Sequence, residues 1–264
     1  MLLFKLFMTP ILIGAVTLAG RRWGPVVSGL LVGLPLTSGP ISVFLALQYG
    51  PAFAARAAVG NIAGMASSCV FCLAYGLAAR RWSWGLCAPI ALLAFGASTA
   101  LCNQVAWSLW SAVLCLLAAI LVVPWLLGRG AVEVTLASPP RWDLPARMLV
   151  ATAFVLALTG SARVLGPQLS GLISPFPVFS VVLAAFTQHR QGPAAAVRLL
   201  RGTVAGAVAF IGFFAVANLG LGHGALAVVY GWASLAALAA SFASFLALRS
   251  GSADWRQGMA SRNK

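Results

Sequence analysis

The sequence predicts an all-α integral membrane protein of nine transmembrane helices: two inverted four-helix repeats joined by an extra helix, span 5, with spans 2 and 7 discontinuous. Three observations carry this expectation: the composition, an internal duplication, and the placement of the basic residues. The chain is 61% hydrophobic and only 8% charged, with a mean hydropathy of +0.98. A soluble surface needs far more charge, so a water-soluble globule is excluded. The apolar runs reach the roughly 20 residues that a helix needs to cross a hydrocarbon core about 30 Å thick. The ten-residue alternation of a membrane β-barrel is absent.

The duplication joins residues 21–64, RRWGPVVSGLLVGLPLTSGPISVFLALQYGPAFAARAAVGNIAG, to residues 163–206, RVLGPQLSGLISPFPVFSVVLAAFTQHRQGPAAAVRLLRGTVAG. At a constant offset of 142, 19 of the 50 positions from Ala15 to Gly64 are identical, against about four expected by chance in a chain so rich in Ala and Leu. The matched set includes residues with backbone consequences: Gly24 and Gly166, Pro35 and Pro177, Gly50 and Gly192, Pro51 and Pro193.

In chain order, residues 2–19 superficially resemble a signal peptide, but no small-residue cleavage site precedes a polar region and the matching segment 144–161 lies mid-chain; they are read as span 1, with Lys5 reaching the interface. Span 2 (26–48) carries PLTSGP at its middle, where Pro35 and Pro40 each remove a backbone donor, so it is expected to break near the bilayer midplane. Span 3 (52–78) follows Gly50-Pro51, a natural helix entry, and ends at Arg80-Arg81. Spans 4 (84–102) and 5 (105–127) are separated by Asn103-Gln104. Spans 6 (147–165), 7 (168–188) and 8 (193–219) repeat spans 1, 2 and 3, and span 9 (225–248) stands where span 4 did. The domains follow: 1–102, the first repeat; 103–146, the linking helix and a polar cytoplasmic linker; 147–248, the second repeat; and 249–264, a basic cytoplasmic tail expected to be mobile.

Nine spans place Lys5, Arg56 and Arg163 on one side and the other fourteen Lys and Arg on the opposite one. The positive-inside rule then puts the N-terminus outside and the C-terminus in the cytoplasm. Five spans before the second copy force it to enter the membrane in the opposite direction. The net charge of +14 is thereby read as a topology signal and a contact with anionic lipid headgroups, not as nucleic-acid binding. Cys69, Cys72, Cys87, Cys102 and Cys115 fall in apolar segments and are read as reduced thiols; the Cys69-Cys72 CxxC has no second pair or nearby His to make it a metal or redox site.

The kernel SGL-x(4)-P, the Gly-Pro turn and the Arg after it, in SGLISPFPVFSVVLAAFTQHRQGPAAAVRLLRGTVAG and again in SGLLVGLPLTSGPISVFLALQYGPAFAARAAVG, resemble the GlpM family of small four-helix bacterial inner-membrane proteins. The resemblance covers about 200 residues across both units; this chain departs from the pattern in being a fused double with an added helix. It implies a multi-pass protein of the bacterial cytoplasmic membrane, in a family associated with production of exported polysaccharide. The four-helix plan is also similar to small members of the drug/metabolite transporter superfamily, an analogy of fold alone.

Broken helices at corresponding places of two inverted halves are the best sequence pointer to a transporter site, because their freed backbone groups cannot face lipid. The candidate substrate-binding residues are Pro35, Thr37, Ser38, Pro40 and Ser42 opposite Ser174, Pro175, Pro177 and Ser180; the alternative is that the prolines only kink packed helices. Arg56 and Arg198 sit one turn into spans 3 and 8, over Gly60-Gly64 and Gly202-Gly206 respectively, and are expected to point into the bundle; the alternative is snorkelling to a phosphate headgroup. Glu133, Asp143 and Asp254 are the only acids and all lie outside the spans, so no carboxylate is placed to hold a cation. His189 and His223, at span ends, read as polar caps. No catalytic motif, metal site or cofactor motif appears, and an enzyme is not expected. The leading expectation is a small secondary transporter or facilitator for an anionic or neutral polar solute, acting as a monomer or homodimer. The alternatives are a lipid-headgroup binder or flippase, and a non-transporting subunit of an envelope-polysaccharide assembly.

Overall fold

The computed structural model describes residues 21–36, 38–128 and 172–262, with scattered positions in 11–19 and 145–153; beyond residue 246 only the backbone is described. Expected spans 1 and 6, the linker after Gly128 and the candidate Thr37 thus lie wholly or largely outside the described residues. The described elements are α1 (Pro25–Val32), α2 (Ser38–Tyr49), α3 (Pro51–Ala78), α4 (Trp84–Asn103), α5 (Leu109–Leu127), α6 (Val178–Gln191), α7 (Pro193–Gly206), α8 (Val208–Gly220) and α9 (Leu226–Arg262). Among the described residues, five stretches are long and apolar enough to cross a membrane: α3, α4, α5, Pro193–Gly220 combining α7 with α8, and Leu226–Leu246 within α9. They coincide with expected spans 3, 4, 5, 8 and 9, and the architecture is that of a helical membrane protein.

Local chemistry explains the boundaries. Proline at 35 lacks an N–H and its ring crowds the carbonyl four residues back, which favours the break after α1, whereas Pro89 and Pro124 are accommodated inside α4 and α5. The chain instead turns through Leu34 N–H to Leu31 O (3.2 Å) and Leu36 N–H to Leu34 O (2.7 Å) before α2 begins. Pro40 sits in the first turn of α2, where the missing donor is harmless. The second copy breaks in the same way: Phe176 N–H meets Ile173 O, Val178 N–H meets Phe176 O at 2.7 Å, and α6 starts after Pro177. Two sequence boundaries shift. Span 5 starts at Leu109, not 105, because Ser108 and Ser111 form a capping box and Trp107 Nε1–H is tied to Cys102 O at 2.7 Å. Residues 249–262, part of the basic tail, continue the helix of α9.

Gly50 and Gly192 occupy φ +87°, ψ 163° and φ +83°, ψ 172°, a region open almost only to glycine, and each is followed by a proline at the helix start. These two turns lie at opposite ends of the bundle. Asn218, near the end of α8, donates to Ala55 O at the start of α3 (2.8 Å), whereas Gln188, near the end of α6, donates to Trp82 O just past the end of α3 (2.9 Å). The repeated segments α3 and α7–α8 therefore run antiparallel.

Helix α3 is the central element: 78% of its apolar window is buried, against 22% for α4 and 17% for α5, which leave Leu93, Trp110, Leu121 and Trp125 outward for lipid. Its small residues allow close packing. A Cβ at Gly64 would strike Leu172 O, and in α7 a Cβ at Gly206 would strike Leu30 O while one at Gly202 would strike Val26 O. The GxxxG faces thus pack against helix backbone, as small-residue motifs in membranes do. At one end, Arg80 Nη2 donates to Leu127 O and Arg201 Nη1 to Gly128 O, both at 2.8 Å, so two arginines satisfy the last carbonyls of α5.

Candidate functional site

The two helix breaks come together at α3 and α7. Val32 and Leu34 from the first break, and Pro175, Phe176 and Pro177 from the second, line one cavity with the first turn of α6. Met65 and Ser68 of α3, and Thr203 and Phe210 of α7 and α8, supply the remaining walls. Its volume is about 30 Å³, room for one or two waters. Leu34 and Phe176 are related by the 142-residue offset, as are Ser68 and Phe210. Ser68 Oγ donates to Pro175 O at 2.6 Å, fastening α3 to the second break, and Thr203 Oγ1 donates to Leu199 O at 3.2 Å. Phe176 also meets Phe95 of α4 edge-on, with ring centroids 5.1 Å apart.

The sequence candidates separate into three groups. Pro175, Pro177 and Ser180 line the cavity, and all three are buried. Pro35, Ser38, Pro40, Ser42 and Ser174 sit at the breaks without lining it. Among these, Ser42 Oγ is paired with Tyr230 Oη at 2.9 Å, and the buried hydroxyl oxygens of Ser38 and Ser174 have no hydrogen-bond partner. The arginines form the third group. Arg56 is exposed, which corrects the expectation that it points into the bundle: it lies one turn from the helix start, where the side chain reaches the interface without displacing packed neighbours. Arg198 is half-buried, and neither arginine lines the cavity.

Sequence reasoning missed Ser68, Thr203, Met65 and Phe210. A usable signal existed for three of them: Asn61, Met65 and Ser68 fall at helical spacing on the face that carries Gly64, and Thr203 stands 142 positions after Asn61. Asn61 is 1% exposed; its Nδ2 donates to Ala57 O at 2.9 Å while its Oδ1 has no partner.

Two clusters of different chemistry lie beyond the cavity along the bundle, and neither lines it. About 10 Å from Ser68 along α3, Tyr75 Oη donates to Gln188 Oε1 at 2.9 Å, and Gln188 Nε2 passes the connection to Trp82 O. His189 lies edge-on to Trp84 at that end, with centroids 6.0 Å apart. Toward the other end, Gly39 packs on Phe213, which stacks edge-on with Phe214 at 4.9 Å and lies beside Tyr230. Among the described residues no group of three His, Cys, Asp or Glu is placed to hold a metal ion. Comparison of the chain with protein-family models, with curated proteins and with solved structures finds no match.

Proposed function

We propose that the chain is a small secondary transporter or facilitator for an anionic or neutral polar solute, with one site, at the cavity, between two inverted repeats. The observation that carries this reading is a reciprocal pair of contacts. Gly206 rests on Leu30 O and Gly64 on Leu172 O, and both members of the second pair are displaced by 142 residues from those of the first. A two-fold relation between the copies produces such a pair, and the helix breaks meet beside it. The proposal includes the nine-span topology with the N-terminus outside and a duplicated GlpM-like unit as the repeat.

The test is flux in proteoliposomes. In a background without native cysteines, Leu34→Cys and Phe176→Cys are introduced together and bridged with a short bis-thiol reagent. Solute uptake above that of empty vesicles, lost on bridging, supports the reading. No flux for any neutral or anionic solute defeats it.

The exposure of Arg56 favours a second reading, a lipid-headgroup binder or flippase, because an exposed guanidinium at that depth meets phosphate. Lipid scrambling in the same vesicles without solute flux selects it. Inactivity in both assays favours a non-transporting assembly subunit.

A further inference from the structure

We propose that the cavity at the paired helix breaks selects an uncharged solute through a hydroxyl or amide group that both donates and accepts hydrogen bonds; this rests on the transporter reading above and narrows its substrate class.

Donors and acceptors around the cavity fix the class of ligand it can hold. The hydroxyl protons of Ser68 and Thr203 are already committed, because their partners, the carbonyls of Pro175 and Leu199, can only accept. Both residues line the cavity, so what their oxygens offer a ligand is lone pairs, and lone pairs require a donor. Donors come from another wall. Helix α6 has no side-chain cap, and Val178 N–H is taken by Phe176 O. Helix geometry leaves Phe179 and Ser180 as the next two N–H groups without an intrahelical acceptor, and both residues line the cavity. A ligand group seated there meets acceptors on one side and donors on the other.

Charge decides the rest. None of the described residues lining the cavity is ionisable; Ser180 adds one more hydroxyl, and the remaining walls are Met, Val, Leu, Pro and Phe side chains. An ammonium group finds no counter-charge, and a carboxylate or phosphate, which only accepts, faces the committed oxygens of Ser68 and Thr203. A neutral hydroxyl or amide satisfies both walls. The volume of about 30 Å³ fits one such group, so the cavity reads the polar end of a solute whose remainder is admitted when a break opens.

Three probes that share a carbon skeleton test this: propane-1,2-diol, lactate and protonated 1-amino-2-propanol. Saturation-transfer NMR is recorded with the protein in lipid nanodiscs, against empty nanodiscs. The expected result is transfer to the diol that falls about fivefold in Thr203→Val, the loss of one hydrogen bond, and is retained in Thr203→Ser. Lactate and 1-amino-2-propanol are expected at the empty-nanodisc level. The inference is overturned if either charged probe shows Thr203-dependent transfer as strong as the diol. It is equally overturned if the diol signal matches empty nanodiscs or is the same in Thr203→Val and the wild type. Diol binding without diol flux in proteoliposomes sinks the transporter reading and leaves this one standing, whereas flux of lactate alone does the opposite.

Discussion

Gly206 of α7 lies against the backbone carbonyl of Leu30 on α1, with no room between them for a side-chain carbon. Gly64 stands in the same relation to Leu172. Because the obstructing atoms are backbone, they cannot rotate away. Gly206→Ala and Gly64→Ala are each expected to destabilise the protein by about 1–3 kcal/mol. Gly96→Ala, where an added methyl meets open space, is expected to be neutral or slightly stabilising. Thermal unfolding in detergent checks all three.

At Gly50 and Gly192 the obstacle is conformation rather than space. Nothing lies within 4 Å of an added Cβ, yet φ is +87° and +83°. Alanine at either position is expected to destabilise by about 1–3 kcal/mol. The two losses should add, since the turns lie at opposite ends of the bundle. An additive double variant in the same unfolding assay confirms the separation.

Tyr75→Phe removes the phenol that serves the buried Gln188 carbonyl oxygen. The orphaned acceptor is expected to cost about 1–3 kcal/mol, and Gln188→Leu a similar amount by stranding the phenol. The double variant should lose less than the sum. Strict additivity in that cycle would mean the two side chains do not support one another.

Arg80 and Arg201 satisfy neighbouring carbonyls at the end of α5. Replacing either with Gln is expected to weaken that end by about 0.3–1 kcal/mol, the worth of a cation at a helix C-terminus. Hydrogen exchange at the last turn of α5 reads the effect; protection unchanged in both variants would refute the clamp.

With three basic residues on one expected side and fourteen on the other, a reporter fused after Lys264 is expected to be active in the cytoplasm. Activity only outside would overturn the nine-span topology proposed here.

Much of the architecture can be read locally. Composition alone makes the chain a membrane protein, because no soluble surface can be built from so little charge. Pro35 and Pro177 mark the two helix breaks, although Pro89 and Pro124 are accommodated inside α4 and α5, and Gly50-Pro51 and Gly192-Pro193 make turns for reasons contained in two residues. What local chemistry does not determine is which face of a helix meets which neighbour. Arg56 and Arg198 are equivalent in sequence, yet one is exposed and the other half-buried, because exposure depends on the elements packed around each helix. The bond from Tyr75 to Gln188 spans 113 residues and that from Ser68 to Pro175 spans 107; no short-range spacing encodes either. The cavity belongs to this second class: its breaks are written in the prolines, but its polar walls exist only where α3 and α7 cross those breaks in three dimensions.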